Sequence, residues 1–160
     1  MQTMKTIITT AALVLAMSAG FAQGKVKEAD VPKAVTDAFK AKFPGAKVEK
    51  WEKEKDGNYE AEFKVSGVEN SANYSADGKL IETEVEMKVA DLPKAASDYV
   101  TKNYAGYKIS EAAKITDAAG KIAYEAEVEK GKEEMDLIFD SNGAFIKKIV
   151  ENDTEDDDKK

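Results

Sequence analysis

Two stretches of the chain place apolar residues three or four positions apart, and the stretches that follow them alternate strictly. Val31, Val35, Ala38, Phe39 and Phe43 form one stripe, and Leu92, Ala96, Tyr99, Val100 and Tyr104 form the other. That spacing predicts two amphipathic helices. Lys33, Asp37, Lys40 and Lys42 occupy the opposite face of the first. Asp30 and Asp91 are the candidate N-caps, since a carboxylate accepts the amide hydrogen bonds that the first turn leaves open, with Pro32 and Pro93 inside that turn. Pro44-Gly45 and Ala105-Gly106 are the stop signals.

The alternating stretches predict strands. Tyr59, Ala61, Phe63 and Val65 share one face, and Glu60, Glu62 and Lys64 share the other. Tyr124, Ala126 and Val128 oppose Glu125, Glu127 and Glu129 in the same way. Ala72 and Tyr74 against Ser71 and Asn73 continue the pattern, as do Met135, Leu137 and Phe139 against Glu134, Asp136 and Ile138. This is the signature of a sheet with one buried and one wet face. Asp77-Gly78 and Asn142-Gly143 read as two-residue hairpin turns with positive φ at both positions, and Asp56-Gly57 as a further turn. Last strands follow over residues 79–87 and 144–150.

The two halves are one sequence written twice. Asp30-Val31-Pro32-Lys33-Ala34 returns as Asp91-Leu92-Pro93-Lys94-Ala95, and Gly45 meets Gly106 in the same frame. An insertion near Asp117–Gly120 shifts the frame, after which Tyr59-Glu60-Ala61-Glu62 meets Tyr124-Glu125-Ala126-Glu127. The fold class expected is α+β, a tandem duplication of an α-β-β-β-β unit with repeats over residues 29–87 and 91–150. Each helix then lies across the apolar face of an antiparallel meander. A unit of this size buries only a marginal core, so residues 29–150 are expected to form a single domain.

Composition narrows the chemistry. The chain has no His, Cys or Arg, and all 24 of its basic residues are Lys. No Ser-His or Cys-His nucleophile can be assembled, and zinc sites of the usual Cys/His kind are excluded. No side chain has an unperturbed pKa near neutrality. Glu60 and Glu62 are a carboxylate pair, but such pairs are ordinary on a wet sheet face, and the reading is a non-catalytic protein without a cofactor.

Residues 1–22 read as a cleavable secretory signal: Lys5, an apolar run from Ile7 to Met17, and small residues ending at Ala22. Cleavage there removes one Lys and no acid, taking the net charge from −7 to −8. The mature protein is expected to be periplasmic or secreted, repelled by nucleic acid and not inserted in a membrane. Residues 151–160 hold Asp153, Glu155, Asp156, Asp157 and Asp158 with nothing apolar to bury, and read as an acidic disordered tail.

The signal segment, the paired Asp-[Val/Leu]-Pro-Lys-Ala openings, the Tyr-Glu-Ala-Glu strands and the [Asp/Asn]-Gly hairpins together resemble the exported PepSY-like proteins, whose fold is similar to that of the β-lactamase-inhibitor protein. The resemblance covers nearly all of the mature chain. It implies two tandem units, a curved antiparallel sheet with helices on the convex side, and an open concave face. PepSY domains are associated with peptidase propeptides and inhibition, and the inhibitor protein grips its target with aromatics on that face. This chain departs from that pattern: its predicted open face is dominated by Glu60, Glu62, Glu125, Glu127, Glu129, Glu134 and Asp136.

The functional reading is an exported binding or inhibitor-like protein that presents this sheet face to a macromolecule, such as an envelope or secreted peptidase. The candidate partner-binding residues are Trp51, Glu60, Glu62, Glu125, Glu127 and Asp136. Trp51 has two placements. Straight alternation from Val48 puts it on the open face with Glu49 and Lys53, where it would anchor a partner, and a bulge would rotate it into the core. The alternative function is cation or small-ligand binding in the cell envelope through the acidic face.

Overall fold

The structure is a computed structural model and describes residues 24–150. Its strands are β1 (Gly24–Val26), β2 (Val48–Lys53), β3 (Tyr59–Val65), β4 (Val68–Tyr74), β5 (Leu80–Glu86), β6 (Lys108–Asp117), β7 (Ile122–Lys130), β8 (Glu133–Asp140) and β9 (Phe145–Ile149). Two helices precede the meanders, α1 (Lys33–Lys42) before β2 and α2 (Lys94–Asn103) before β6. Strands β1 to β5 follow one another in chain order as an antiparallel meander, and β6 to β9 do so again. The α-β-β-β-β order thus occurs twice, as the duplicated sequence predicts. The predicted signal segment and acidic tail lie outside the described residues.

Strand β1 lies in a mostly polar stretch for which the alternation pattern predicts no element. It pairs antiparallel with β2, Val26 opposite Trp51 and Lys25 opposite Glu52. Val26 is partly buried against the first core, which explains why a short polar stretch takes a strand position.

The helix starts differ from the expected capping. Neither Asp30 nor Asp91 caps a helix: each ends a short 3₁₀ turn, Glu28–Asp30 or Val89–Asp91. The following Val31 and Leu92 are extended, at ψ 134 and 145°. A residue before proline is pushed out of the helical region, so the chain cannot run from Asp30 straight into the helix. The prolines themselves stand at the N-cap, where the Pro32 carbonyl accepts from the amides of Val35 and Thr36, and that of Pro93 from Ala96 and Ser97.

The chain divides into two compact units, one running to Val85 and adding Thr116–Gly120, the other comprising Glu86–Ile115 and residues from 121. The first unit closes on Val31, Val35 and Phe39 from the helix side, against Trp51, Tyr59, Ala61, Phe63, Ala72 and Tyr74 from the sheet. Phe39 meets Phe63 and Trp51 edge-on, with ring centroids 4.9 and 5.7 Å apart, a favoured arrangement for aromatic quadrupoles. The inserted Thr116–Gly120 segment belongs here through the Ala118 amide, which donates to the Ile81 carbonyl at 2.8 Å. In the second unit Leu92, Ala96 and Val100 pack on Ala112, Ala126, Val128, Leu137 and Phe139. Tyr99 stacks flat on Phe145 at 4.6 Å.

The Asp-Gly and Asn-Gly turns are three-residue loops, not the two-residue turns that the dipeptides suggest. The Gly78 amide donates to the Ser75 carbonyl and the Ser75 amide to Lys79; Gly143, Asp140 and Ala144 repeat the pattern. Only the glycine has positive φ in each, 84° at Gly78 and 81° at Gly143. This is a type I turn closed by a left-handed glycine. A second demand on these glycines comes from the helices. A Cβ at Gly78 would stand 2.5 Å from the Ala34 carbonyl oxygen, and one at Gly143 would stand 2.9 Å from the Ala96 nitrogen. Each hairpin therefore presses bare backbone against the first turn of its own helix.

Candidate functional site

The carboxylate face of the first unit is built by a bulge. The register of β2 against β3 slips between Val48 and Lys50. Beyond the slip, Lys50 and Glu52 stand on the side of Glu60 and Glu62, and Trp51 points the other way. Trp51 is 4 % exposed and packs in the first core. The placement of Trp51 as a partner anchor on the open face is corrected: one extra residue in β2 reverses its side.

Cross-strand pairing then assembles rows. Glu52 stands opposite Glu60, Glu60 opposite Asn73, and Asn73 opposite Glu82. The neighbouring row is Lys50, Glu62, Ser71 and Glu84. The Lys50 ammonium bridges the two rows, 2.8 Å from Glu52 Oε2 and 3.1 Å from Glu62 Oε1. One carboxylate oxygen from each of Glu52, Glu60 and Glu62 lies within 4.8 Å of the others. Further along the face, Lys64 links Glu49 and Glu69 at 3.5 and 3.3 Å in a more exposed setting.

This face is not the solvated surface that alternation alone suggests. Glu60 is 3 % exposed, and Ser71, Asn73, Glu82 and Glu84 are buried with it. Burial pushes the Glu60 carboxyl well above the ordinary carboxylate range. The bond donated by the Ser71 hydroxyl opposes that shift, while Glu54, Glu62 and Glu52 add to it by like-charge repulsion. Burial also raises Glu62, against the bond from Lys50. For Lys50 itself burial acts to lower the pKa, and the bonds to Glu52 and Glu62 outweigh it and leave it raised.

In the second unit Glu127 stands opposite Asp136, and Ser110 Oγ donates to Glu127 Oε1 at 2.6 Å. Glu125 and Asp136 are buried. The row corresponding to Glu60, Asn73 and Glu82 reads Glu125, Ile138 and Lys147. An apolar residue and a lysine replace the amide and the outer acid, so the duplicated frame carries two different faces. The six residues named from sequence therefore separate into Trp51 in a core, Glu60 with Glu62 in one unit, and Glu125, Glu127 and Asp136 in the other. Sequence reasoning missed Lys50, Glu52 and Asn73. Glu52 and Lys50 alternate with Trp51, and that local signal becomes readable only once the bulge sets which side they take.

Residues 21–82 and 57–147 match the family described as "Putative beta-lactamase-inhibitor-like, PepSY-like". The chain belongs to this PepSY-like family. No curated protein matches the chain. Among solved structures it is similar to a DUF2874 family protein from Bacteroides ovatus, at 20 % identity and TM-score 0.63 over 78 % of this chain and 91 % of that one. A BLIP-like protein from Bacteroides fragilis matches at 23 % identity and TM-score 0.57, covering 78 % and 90 % of the two chains. A protein from Bacteroides eggerthii, described as a putative periplasmic protein, matches at 14 % and TM-score 0.63 over 75 % and 88 %. These likenesses concern the fold. The PepSY-like family is not a known enzyme family. Among the described residues no helix is long and apolar enough to cross a membrane.

Proposed function

We propose that the protein is a non-catalytic exported binding or inhibitor-like protein, which meets a basic surface of another envelope or secreted protein, such as a peptidase, through the carboxylate face of its sheet. Its inhibitor-like family description and the periplasmic description of a structural neighbour support this reading. Among the described residues, the one α-helix of each unit lies on the apolar face and none lies on the carboxylate face. The observation that carries the reading is the tip of the β3–β4 hairpin in the first unit, where that face ends. There Val65 and Val68, directly opposite one another on the side of Phe63, are 45 and 40 % exposed, and on the other side of the same hairpin Lys64 joins Glu49 and Glu69. Exposed apolar residues rimmed by charge are the usual composition of a protein contact. The corresponding hairpin of the second unit pairs Lys130 with Glu133, so the apolar tip belongs to the first unit alone.

Capture from periplasmic extract with the wild-type protein and with a Val65→Asp/Glu69→Lys variant tests the reading. Both positions are partly exposed, so the variant is expected to fold. A defined partner should be retained by the wild type, lost from the variant, and released as salt is raised. Capture that is the same for both, or no partner at all, overturns the proposal.

A further inference from the structure

We propose that the first unit holds a divalent cation of the calcium type between Glu52, Glu60 and Glu62, with the Asn73 side-chain oxygen as a fourth ligand. The proposal stands independently of the partner reading.

Three observations carry it. The first is geometric. The three carboxylates each place an oxygen within 4.8 Å of the other two. Calcium takes oxygen ligands at roughly 2.3–2.6 Å, so two ligands of one ion stand at most about 5 Å apart. Calcium also accepts variable geometry and mixed carboxylate and amide oxygens, whereas magnesium demands a near-ideal octahedron and gives up water reluctantly. The second is Asn73. It is 6 % exposed and directly opposite Glu60 on the same face, yet its Oδ1 atom has no hydrogen-bond partner. A buried amide oxygen without a donor is costly, and coordination to a cation would satisfy it. The third is charge. With the carboxylates ionised, Lys50 contacts Glu52 and Glu62, and three like charges stand close together in a largely buried cluster. A divalent cation would balance them. Among the described residues of the second unit no such set occurs, and Ile138 stands opposite Glu125.

Lys50 occupies the cluster by pairing with Glu52 and Glu62, so it is the internal competitor of the cation. This separates a cation site from a structural ion-pair cluster. If the cluster exists only to hold Lys50, removing the ammonium destabilises the protein and calcium does nothing.

The test is calorimetric titration with calcium chloride together with thermal melting in its presence and absence. The wild type is expected to bind one calcium per chain, in the range up to about millimolar, and to melt higher when loaded. Glu60→Gln is isosteric and keeps the fold, and it should abolish the binding. Asn73→Leu should weaken it by roughly ten- to a hundred-fold. Lys50→Met should lower the melting temperature without calcium, tighten calcium binding, and melt higher again when loaded. A variant with Asp156, Asp157 and Asp158 changed to Asn should bind as the wild type does. Absence of heat and of any melting shift at millimolar calcium overturns the proposal. So does binding that survives Glu60→Gln, binding that disappears with the tail aspartates, or a Lys50→Met affinity equal to that of the wild type.

Discussion

Tyr74 presents the clearest residue-level conflict between packing and polarity. Its side chain is 1 % exposed in the first core, and its hydroxyl has no hydrogen-bond partner. A buried hydroxyl without a partner gives up its hydration for nothing, so the ring holds the fold and the oxygen opposes it. Tyr74→Phe should leave stability unchanged or raise it by up to about 1 kcal/mol near neutral pH, measured by urea denaturation. The same burial pushes the phenol up to about 12 from 10.0. The folded chain therefore keeps a proton that the unfolded chain loses above pH 10. The sign follows: this group leaves stability untouched below pH 10 and removes on the order of 2 kcal/mol as pH rises towards 12. Tyr74→Phe should flatten that part of the stability profile. A variant whose alkaline profile follows the wild type would place the titration elsewhere.

At the level of elements, the hairpin glycines decide how each helix meets its sheet. Gly67, in the β3–β4 turn, also has positive φ, at 83°, but a Cβ there would meet nothing within 4 Å. Gly67→Ala should thus cost only the left-handed strain, about 1 kcal/mol. Gly78→Ala and Gly143→Ala carry the same strain and also drive a methyl against helix backbone, at 2.5 and 2.9 Å, so each should cost roughly 2–4 kcal/mol. Denaturant midpoints of the three variants, compared at constant slope, measure the difference. Equal costs would mean that the hairpins do not bear on the helices. The Gly residues were visible in the sequence as turn signals. Their contact with the helix was not, because Ala34 lies more than forty residues away in the chain.

For the whole molecule, the size argument and the division into two compact units lead to opposite unfolding behaviour. Each unit has its own core of aromatic and aliphatic residues. Each is also near the size at which a core alone is marginal. We expect the size argument to prevail and the protein to unfold in one cooperative transition, with equal calorimetric and van't Hoff enthalpies. Two separated transitions would make each repeat a domain in its own right.

Periodicity, the repeated Asp-[Val/Leu]-Pro-Lys-Ala openings and the turn glycines were enough to determine the α+β class, both helices, the four strands that follow each and the family. These signals are local, spanning a helical turn, a strand or a hairpin, and they are written twice. The side on which Trp51 lies was decided by a bulge near Glu49, because inserting one residue reverses every following side chain and costs no change in composition. The burial of Glu60, and its meeting with Glu52, Glu62 and Asn73, depended on pairing between β2, β3 and β4. Alternation says that a residue leaves the core, but only the tertiary structure says what stands beside it on the other face.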